Sequence, residues 1–405
     1  MTMLLALLAC GDEDEQQDMA DLAAEAPPAA VISAPVPLQP PAEGALTSSA
    51  IAESMNRFAF DLLGTQEGET VFSPASVAVA WGLLLLGARG ETETAIATVF
   101  HQPDFEEGGV EQAYGQWLRE LNEAEGPWTL RAANRVWAQQ DLELQAAYEA
   151  GALAAFQAEV GRVDFSSPDA ARGTINAWVA EQTEDRIPQL LGQGSIDGAT
   201  RLVLTNAVYF LGSWEDPFEK DATVQGPFHA PTGELQVPMM RQTSWHGYHE
   251  AQGLQAVELP YRGDRLSAWV ILHDQPLDHD SFATLAGSGQ GRRVQLSLPR
   301  FELRTAQSLR APLSDLGLGV AFSDQADLSG LTTGDLAVSD CIHEAWIKVD
   351  EEGTEAAAAT GVVVSVTSMP PPPVEMTVDR PFTFVVLDKP TGAILFVARV
   401  ENPAP

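Results

Sequence analysis

Residues 350–368 read Asp-Glu-Glu-Gly-Thr-Glu-Ala-Ala-Ala-Ala-Thr-Gly-Val-Val-Val-Ser-Val-Thr-Ser. Four consecutive alanines favour a helix, yet Gly353 precedes them and Gly361 with a β-branched run follows. At a period of two, one face carries Thr354, Ala356, Ala358, Thr360, Val362, Val364 and Val366. The other carries Glu355, Ala357, Ala359, Gly361, Val363 and Ser365. The first half is small on both faces, and the second has strong strand propensity. Such a segment can slide between two existing strands without a steric clash. By itself the pattern fits an edge hairpin or an Ala-rich loop equally well, so the rest of the chain has to decide.

Upstream, the periodicity is helical. Ile51, Met55, Phe58, Ala59 and Leu62 share one helix face, and Ser73-Pro74 is a helix start for a segment running through Val77 to Leu86. Residues 91–100, 110–122, 145–158 and 168–181 also read as helices. Strands dominate later, at 202–210, 255–259, 267–272, 293–299, 342–349, 382–387 and 394–400. Pro390-Thr391-Gly392 supplies the turn between the last two. Helices early and strands late define an α+β domain. No internal repeat and no linker is evident after residue 50, so 51–405 reads as one large domain.

The chain has 57 acidic and 22 basic residues among 405, for a formal charge of −35. All 22 bases and 49 of the acids lie in 51–405. Such a surface repels phosphate backbones and anionic lipid, which argues against nucleic acid or heparin-like partners. With only Cys10 and Cys341, one in the N-terminal tract and the other deep in the folded region, a structural disulfide is not expected.

Residues 1–9 form a short apolar segment, too short to span a membrane and similar to the core of a signal peptide. It ends in Leu7-Leu8-Ala9-Cys10, which resembles a bacterial lipobox with Cys10 as the lipidated residue. No Lys or Arg precedes the run, so plain secretion and an unprocessed start stay open. Residues 10–50 are rich in acids, Ala and Pro and lack aromatics, so burial cannot offset their ordering entropy. They read as a disordered, proline-stiffened tether or leader.

Enzyme signatures are missing. The chain has no G-x-S-x-G elbow, Walker loop or dinucleotide fingerprint, and His343-Glu344 lacks the second His of a zincin. His246, His249 and Glu250, like His273, Asp274, His279 and Asp280, read as residues of exposed turns rather than metal ligands. No metal or other cofactor is expected.

Five stretches, in order, resemble the serpin family. Gly353 to Thr360 after the acidic turn at Glu352 is similar to the hinge of inhibitory members. His343 matches the family's shutter histidine, and Val71 to Val77 resembles the shutter serines, here Ser73 and Ser76, with their helix. Leu204 to Trp214 resembles the strand bearing the shutter asparagine, Asn206, and then the breach tryptophan, Trp214. Asp379 to Pro403 resembles the C-terminal signature. The departures are the N-terminal tether and two extra prolines after the reactive loop.

The resemblance implies the serpin fold, with mixed and antiparallel sheets, a bundle of helices and an exposed reactive-centre loop. It implies a suicide inhibitor of serine proteases that is metastable and is not itself an enzyme. On that reading Thr354 lies exposed in the loop and is the first residue to enter the sheet after cleavage. Family spacing sets the scissile bond at Thr367–Ser368, with positions one or two residues earlier left open. Thr367 and Val366 suit a protease with a small apolar primary pocket, elastase-like or subtilisin-like, because no Lys or Arg lies between Gly353 and Asp379. A monomer is expected, secreted or held as a cell-envelope lipoprotein at a bacterial outer membrane or surface, touching membrane only through its lipid. The competing readings are a non-inhibitory carrier or chaperone of the same family and a structural surface lipoprotein. The small hinge residues favour the inhibitor.

Overall fold

The computed structural model describes residues 47–404 apart from 104–108, 123, 125, 157, 159, 252 and 355–371. The helices are α1 (Ser48–Thr65), α2 (Pro74–Leu85), α3 (Gly90–Val99), α4 (Gly109–Asn122), α5 (Ala146–Phe156), α6 (Pro168–Gln182), α7 (His279–Ser288) and α8 (Arg310–Asp315). The first eight strands are β1 (Thr70–Phe72), β2 (Trp128–Gln139), β3 (Gly161–Val163), β4 (Leu202–Ser213), β5 (Val224–Ala230), β6 (Gly233–Ala251), β7 (Leu254–Pro260) and β8 (Leu266–His273). The rest are β9 (Gln290–Pro299), β10 (Phe301–Ser308), β11 (Asp340–Asp350), β12 (Gly353–Thr354), β13 (Val374–Thr377), β14 (Phe382–Asp388) and β15 (Ala393–Val400).

Local chemistry explains several boundaries. Ser73 caps α2 by accepting from the Ser76 N–H, and Pro74 fills the first turn, where no amide donor is needed. Thr47 caps α1 in the same way, so helical order begins upstream of residue 51. Between β14 and β15 the chain turns at Gly392, whose φ of +76° suits a residue without Cβ.

Among the described residues the strands form two sheets. One has the order β1-β15-β14-β8-β7-β6-β9-β13, with β5 paired to β6. The other runs β10-β11-β12-β4-β2-β3, and β11 also pairs directly with β4. The first nine residues of β4 are all buried, as expected of a central strand covered on both faces. On one side lies the main core, which includes Phe210 and Phe396. On the other, Val203, Ala207 and Ile342 pack with Ile175 and Val179 of α6.

The expected exposed turns need correction. His246 is buried inside β6, and His249 and Glu250 continue that strand. His273 closes β8, and His279 and Asp280 open α7. Strands β1, β2, β3, β5, β6, β10, β12 and β13 were not legible. The β2 stretch Trp-Thr-Leu-Arg-Ala-Ala-Asn-Arg-Val-Trp-Ala-Gln has no clean alternation and is held by its antiparallel pairing with β4. Cys341 is a buried free thiol whose pKa burial pushes up to about 12, which makes it unreactive. Among the described residues no three His, Cys, Asp or Glu side chains gather as a metal group.

Candidate functional site

The site lies along the seam between β11 and β4. These strands run parallel and pair directly from Asp340 opposite Val203 to Trp346 opposite Tyr209. Above that point the chain reverses through Glu351 and Glu352, and β12 wedges between them. Gly353 and Thr354 pair with Asp350 and Val349 on one side and with Ser213 and Gly212 on the other. The seam is therefore closed along most of its length and opened by two residues at its mouth.

Thr354 is accordingly not exposed, contrary to the expectation from sequence. It is fully buried, and its hydroxyl shares a 2.7 Å hydrogen bond with the hydroxyl of Tyr261. The tight reversal after β11 forces this, because a two-residue turn returns the chain straight into the seam. Burial pushes the Tyr261 phenol far above its usual range, so it stays protonated. Gly353 has φ +152°, and a Cβ there would stand 2.0 Å from the Gly212 carbonyl oxygen. Only glycine passes this point without displacing β4.

Trp214 pins the turn. Its indole stacks on Tyr261 with centroids 4.5 Å apart, and Tyr261 in turn meets Phe210 edge-on at 4.9 Å. Trp214 Nε1 donates to the Asp350 carbonyl at 3.0 Å, and its backbone N–H to the Glu352 carbonyl at 2.9 Å. Glu352 pairs with Lys220 at the surface. Glu351, which sequence reading passed over, is the buried member of the acidic turn. Thr223 donates to it at 2.6 Å, and Arg300 forms an ion pair with it. Burial raises the Glu351 pKa, but the hydrogen bonds from Thr223 and Arg300 outweigh that and hold it below the usual range.

Lower in the seam, Ser73, Ser76, Asn206 and His343 come together. The Ser73 N–H donates to His343 Nε2 at 3.1 Å, and His343 Nδ1 bonds Asn206 Oδ1. Nε2 is thus an acceptor, so the neutral ring carries its proton on Nδ1 and donates it to Asn206. Asn206 Nδ2 then donates to Ser76 Oγ at 2.8 Å and to Asn134 Oδ1 at 2.9 Å, and Ser76 Oγ donates to Asn134 Oδ1 at 2.7 Å. Burial lowers the His343 pKa to about 3. Asn134 escaped sequence reading, because an asparagine inside an irregular strand carries no local signal.

Of the remaining candidate residues, Cys10, Glu355, Ala356, Ala357, Ala358, Ala359, Thr360, Thr367 and Ser368 lie outside the described residues.

A two-residue wedge thus stands at the mouth of a parallel seam, with a buried polar cluster beneath it. Comparison with known proteins defines the class. Residues 53–403 match the family model described as Serpin (serine protease inhibitor). The leukocyte elastase inhibitor of Bos taurus is 35% identical over 378 residues, covering 87% of this chain and 99% of that protein. An uncharacterized serpin-like protein of Thermococcus kodakarensis is 36% identical, covering 87% of this chain and 86% of that protein. The crystal structure of Serpin48, a highly specific serpin in the insect Tenebrio molitor, superposes with a TM-score of 0.76 at 30% identity, covering 88% of this chain and 97% of that one. The chain belongs to the serpin family, whose members are mostly protease inhibitors rather than enzymes.

Proposed function

We propose that this serpin is a suicide inhibitor of serine proteases, holding the acyl-enzyme by inserting its cleaved loop between β11 and β4. The observation that carries this reading is the register of the β12 wedge. Continued antiparallel along β11, it sets Thr360 opposite His343; continued along β4, it sets Thr360 opposite Asn206. The two extrapolations agree because His343 and Asn206 already face each other. Insertion therefore parts the His343–Asn206 pair and offers each partner the Thr360 hydroxyl. Ala359 falls beside Glu344 and Ala207 on the face beneath α6, where small residues are needed.

In the reaction the protease serine attacks the Thr367 carbonyl carbon. The bond to Ser368 breaks, the new amine leaves with a proton from the protease histidine, and Thr367 remains as an ester on the enzyme. Once the N-terminal side of the cut is free it can fill the seam. From Thr354 to Thr367 an extended strand spans ~46 Å at ~3.3 Å per residue, close to the diameter of a globule this size. The ester is carried to the opposite pole before water cleaves it. Thr367 and Val366 select an elastase-like or subtilisin-like enzyme. The inhibitor acts as a monomer outside the cytoplasm, secreted or held to a cell envelope through Cys10; the Leu7-Leu8-Ala9-Cys10 run supports the latter.

Incubation with a panel of such proteases, read on a denaturing gel, tests the proposal. A band at the summed mass that survives boiling in detergent is expected. Cleavage of the loop with release of fully active protease from every member would leave a substrate, not an inhibitor.

A further inference from the structure

Glu344 is fully buried in β11, next to His343 but on the opposite face, the one where Ile342 and Ala207 pack under α6. Its Oε1 accepts from Nε of Arg304 on β10, and its Oε2 has no hydrogen-bond partner among the described residues. The Arg304 side chain is half-exposed, so the pair reaches from solvent into the sheet. Burial raises the Glu344 pKa against the pull of Arg304. Arg304 does not stand directly opposite Glu344: Ala306 does, and Arg304 faces Trp346. The bond is therefore diagonal, and the diagonal repeats. Trp346 Nε1 donates to Glu302 Oε1 at 3.0 Å, and Ser308 Oγ donates to Asp340 Oδ1 at 2.6 Å. Asp340, Glu344 and Trp346 thus all lean towards β10. Across the seam they face Val203, Ala207 and Tyr209 of β4, and among the described residues no side-chain hydrogen bond joins them to that strand.

We propose that Arg304 is a positioning residue for loop insertion: it draws the Glu344 carboxylate to the β10 side and keeps the lane between β11 and β4 clear for the incoming strand. The proposal rests on the inhibitory reading above, which sets Ala359 between Glu344 and Ala207. Without the guanidinium, the buried carboxylate loses its counter-ion and the group that holds it to that side. Turned over Ala207, which offers only a methyl group, it occupies the place that Ala359 must take. An inserted strand would then have to pass, and cover, an unpaired charge. The effect falls after cleavage. Slower insertion leaves the ester open to water for longer, so more inhibitor is consumed for each protease trapped, while encounter and cleavage stay as they were.

The test compares the full-length wild type with Arg304→Ala, Arg304→Lys, Glu344→Ala and Arg304→Ala/Glu344→Ala. Each is titrated against pancreatic elastase, neutrophil elastase, subtilisin and proteinase K for stoichiometry and second-order rate constant, and its thermal midpoint is measured. For every protease that wild type traps, Arg304→Ala should raise the stoichiometry about threefold or more. The product of rate constant and stoichiometry, which reports encounter and cleavage, should not change. Arg304→Lys keeps a cation and should stay near wild type. Removing the carboxylate clears the lane, so Glu344→Ala and the double variant should both trap at the wild-type stoichiometry. A general loss of stability would act the other way, since a less stable uncleaved state inserts its loop more readily. Should Arg304→Ala not fold, Arg304→Gln serves the same comparison. An unchanged or lower stoichiometry without the guanidinium overturns the positioning role and leaves the inhibitory reading standing. A raised stoichiometry that persists when residue 344 is also alanine overturns it too. Were wild type to trap none of the four proteases, the inhibitory reading and this proposal would fall together.

Discussion

At the scale of single residues the seam is governed by one proton. His343 accepts from the Ser73 amide at 3.1 Å through Nε2, so protonation there would set two donors face to face. Among the described residues no carboxylate joins the hydrogen bonds around it; its neighbours are Asn206, Asn134, Ser73 and Ser76. Burial lowers its folded pKa to about 3, against about 6.5 in an unfolded chain. The folded state therefore binds fewer protons. Its stabilising share is complete above about pH 6.5 and is lost as pH falls towards 3, at about 1.4 kcal/mol per unit. Denaturant midpoints at pH 7 and pH 5 should differ more in wild type than in His343→Gln, which lacks the titration. Equal differences in the two proteins would show that His343 does not carry this pH dependence.

At the scale of elements, β12 decides how the seam is primed. Thr354 is fully buried against Tyr261 in the uncleaved chain. Thr354→Arg would place an unpaired charge in that contact, at a cost of about 3–5 kcal/mol, unless both β12 residues leave the sheet. Arginine therefore lowers the stability of the uncleaved protein as well as blocking insertion. Expected are a reduced midpoint, normal cleavage and conversion from inhibitor to substrate; full inhibition by this variant would contradict the hinge assignment. The wedge itself was not legible in sequence. Gly353, Thr354 and the strand-forming valines gave the hinge, but whether Thr354 starts inside or outside the sheet depends on how tightly residues 351–352 turn. Six of the eight helices among the described residues were read, because caps such as Ser73-Pro74 and the 3.6 period are local; α7 and α8 were missed. By contrast β2, with Arg131, Asn134 and Arg135 breaking its alternation, owes its strand state to β4. For the same reason Asn134 and Tyr261 were missed: both reach the seam from strands or turns remote in sequence. Glu351 was overshadowed by its neighbour Glu352, since only the fold shows which acid turns inward.

At the scale of the molecule, a tethered inhibitor needs a held end and a sprung domain. Residues 10–50 supply the first if Cys10 is lipidated: two or three acyl chains at about 0.8 kcal/mol per buried CH₂ anchor firmly. Mass spectrometry of the mature N-terminus should find diacylglycerol on Cys10, and an unmodified Cys10 would leave a freely secreted inhibitor. The sprung domain is the central claim. In the uncleaved chain β11 and β4 are bonded to each other from Asp340 to Trp346, and only Gly353 and Thr354 have entered between them. On the proposed mechanism a longer strand there adds two ladders of backbone hydrogen bonds and buries Val362 and Val364, which would make the uncleaved state a kinetically trapped one above a more stable one. The most direct measurement is the thermal midpoint of the protein before and after verified cleavage within residues 355–371. The account predicts a large rise on cleavage, tens of degrees being the order expected when a full central strand is gained (about 4 °C or less per kcal/mol in a domain this size). An unchanged or lower midpoint would mean that the cut loop does not enter the sheet, and the inhibitory mechanism would fail with it.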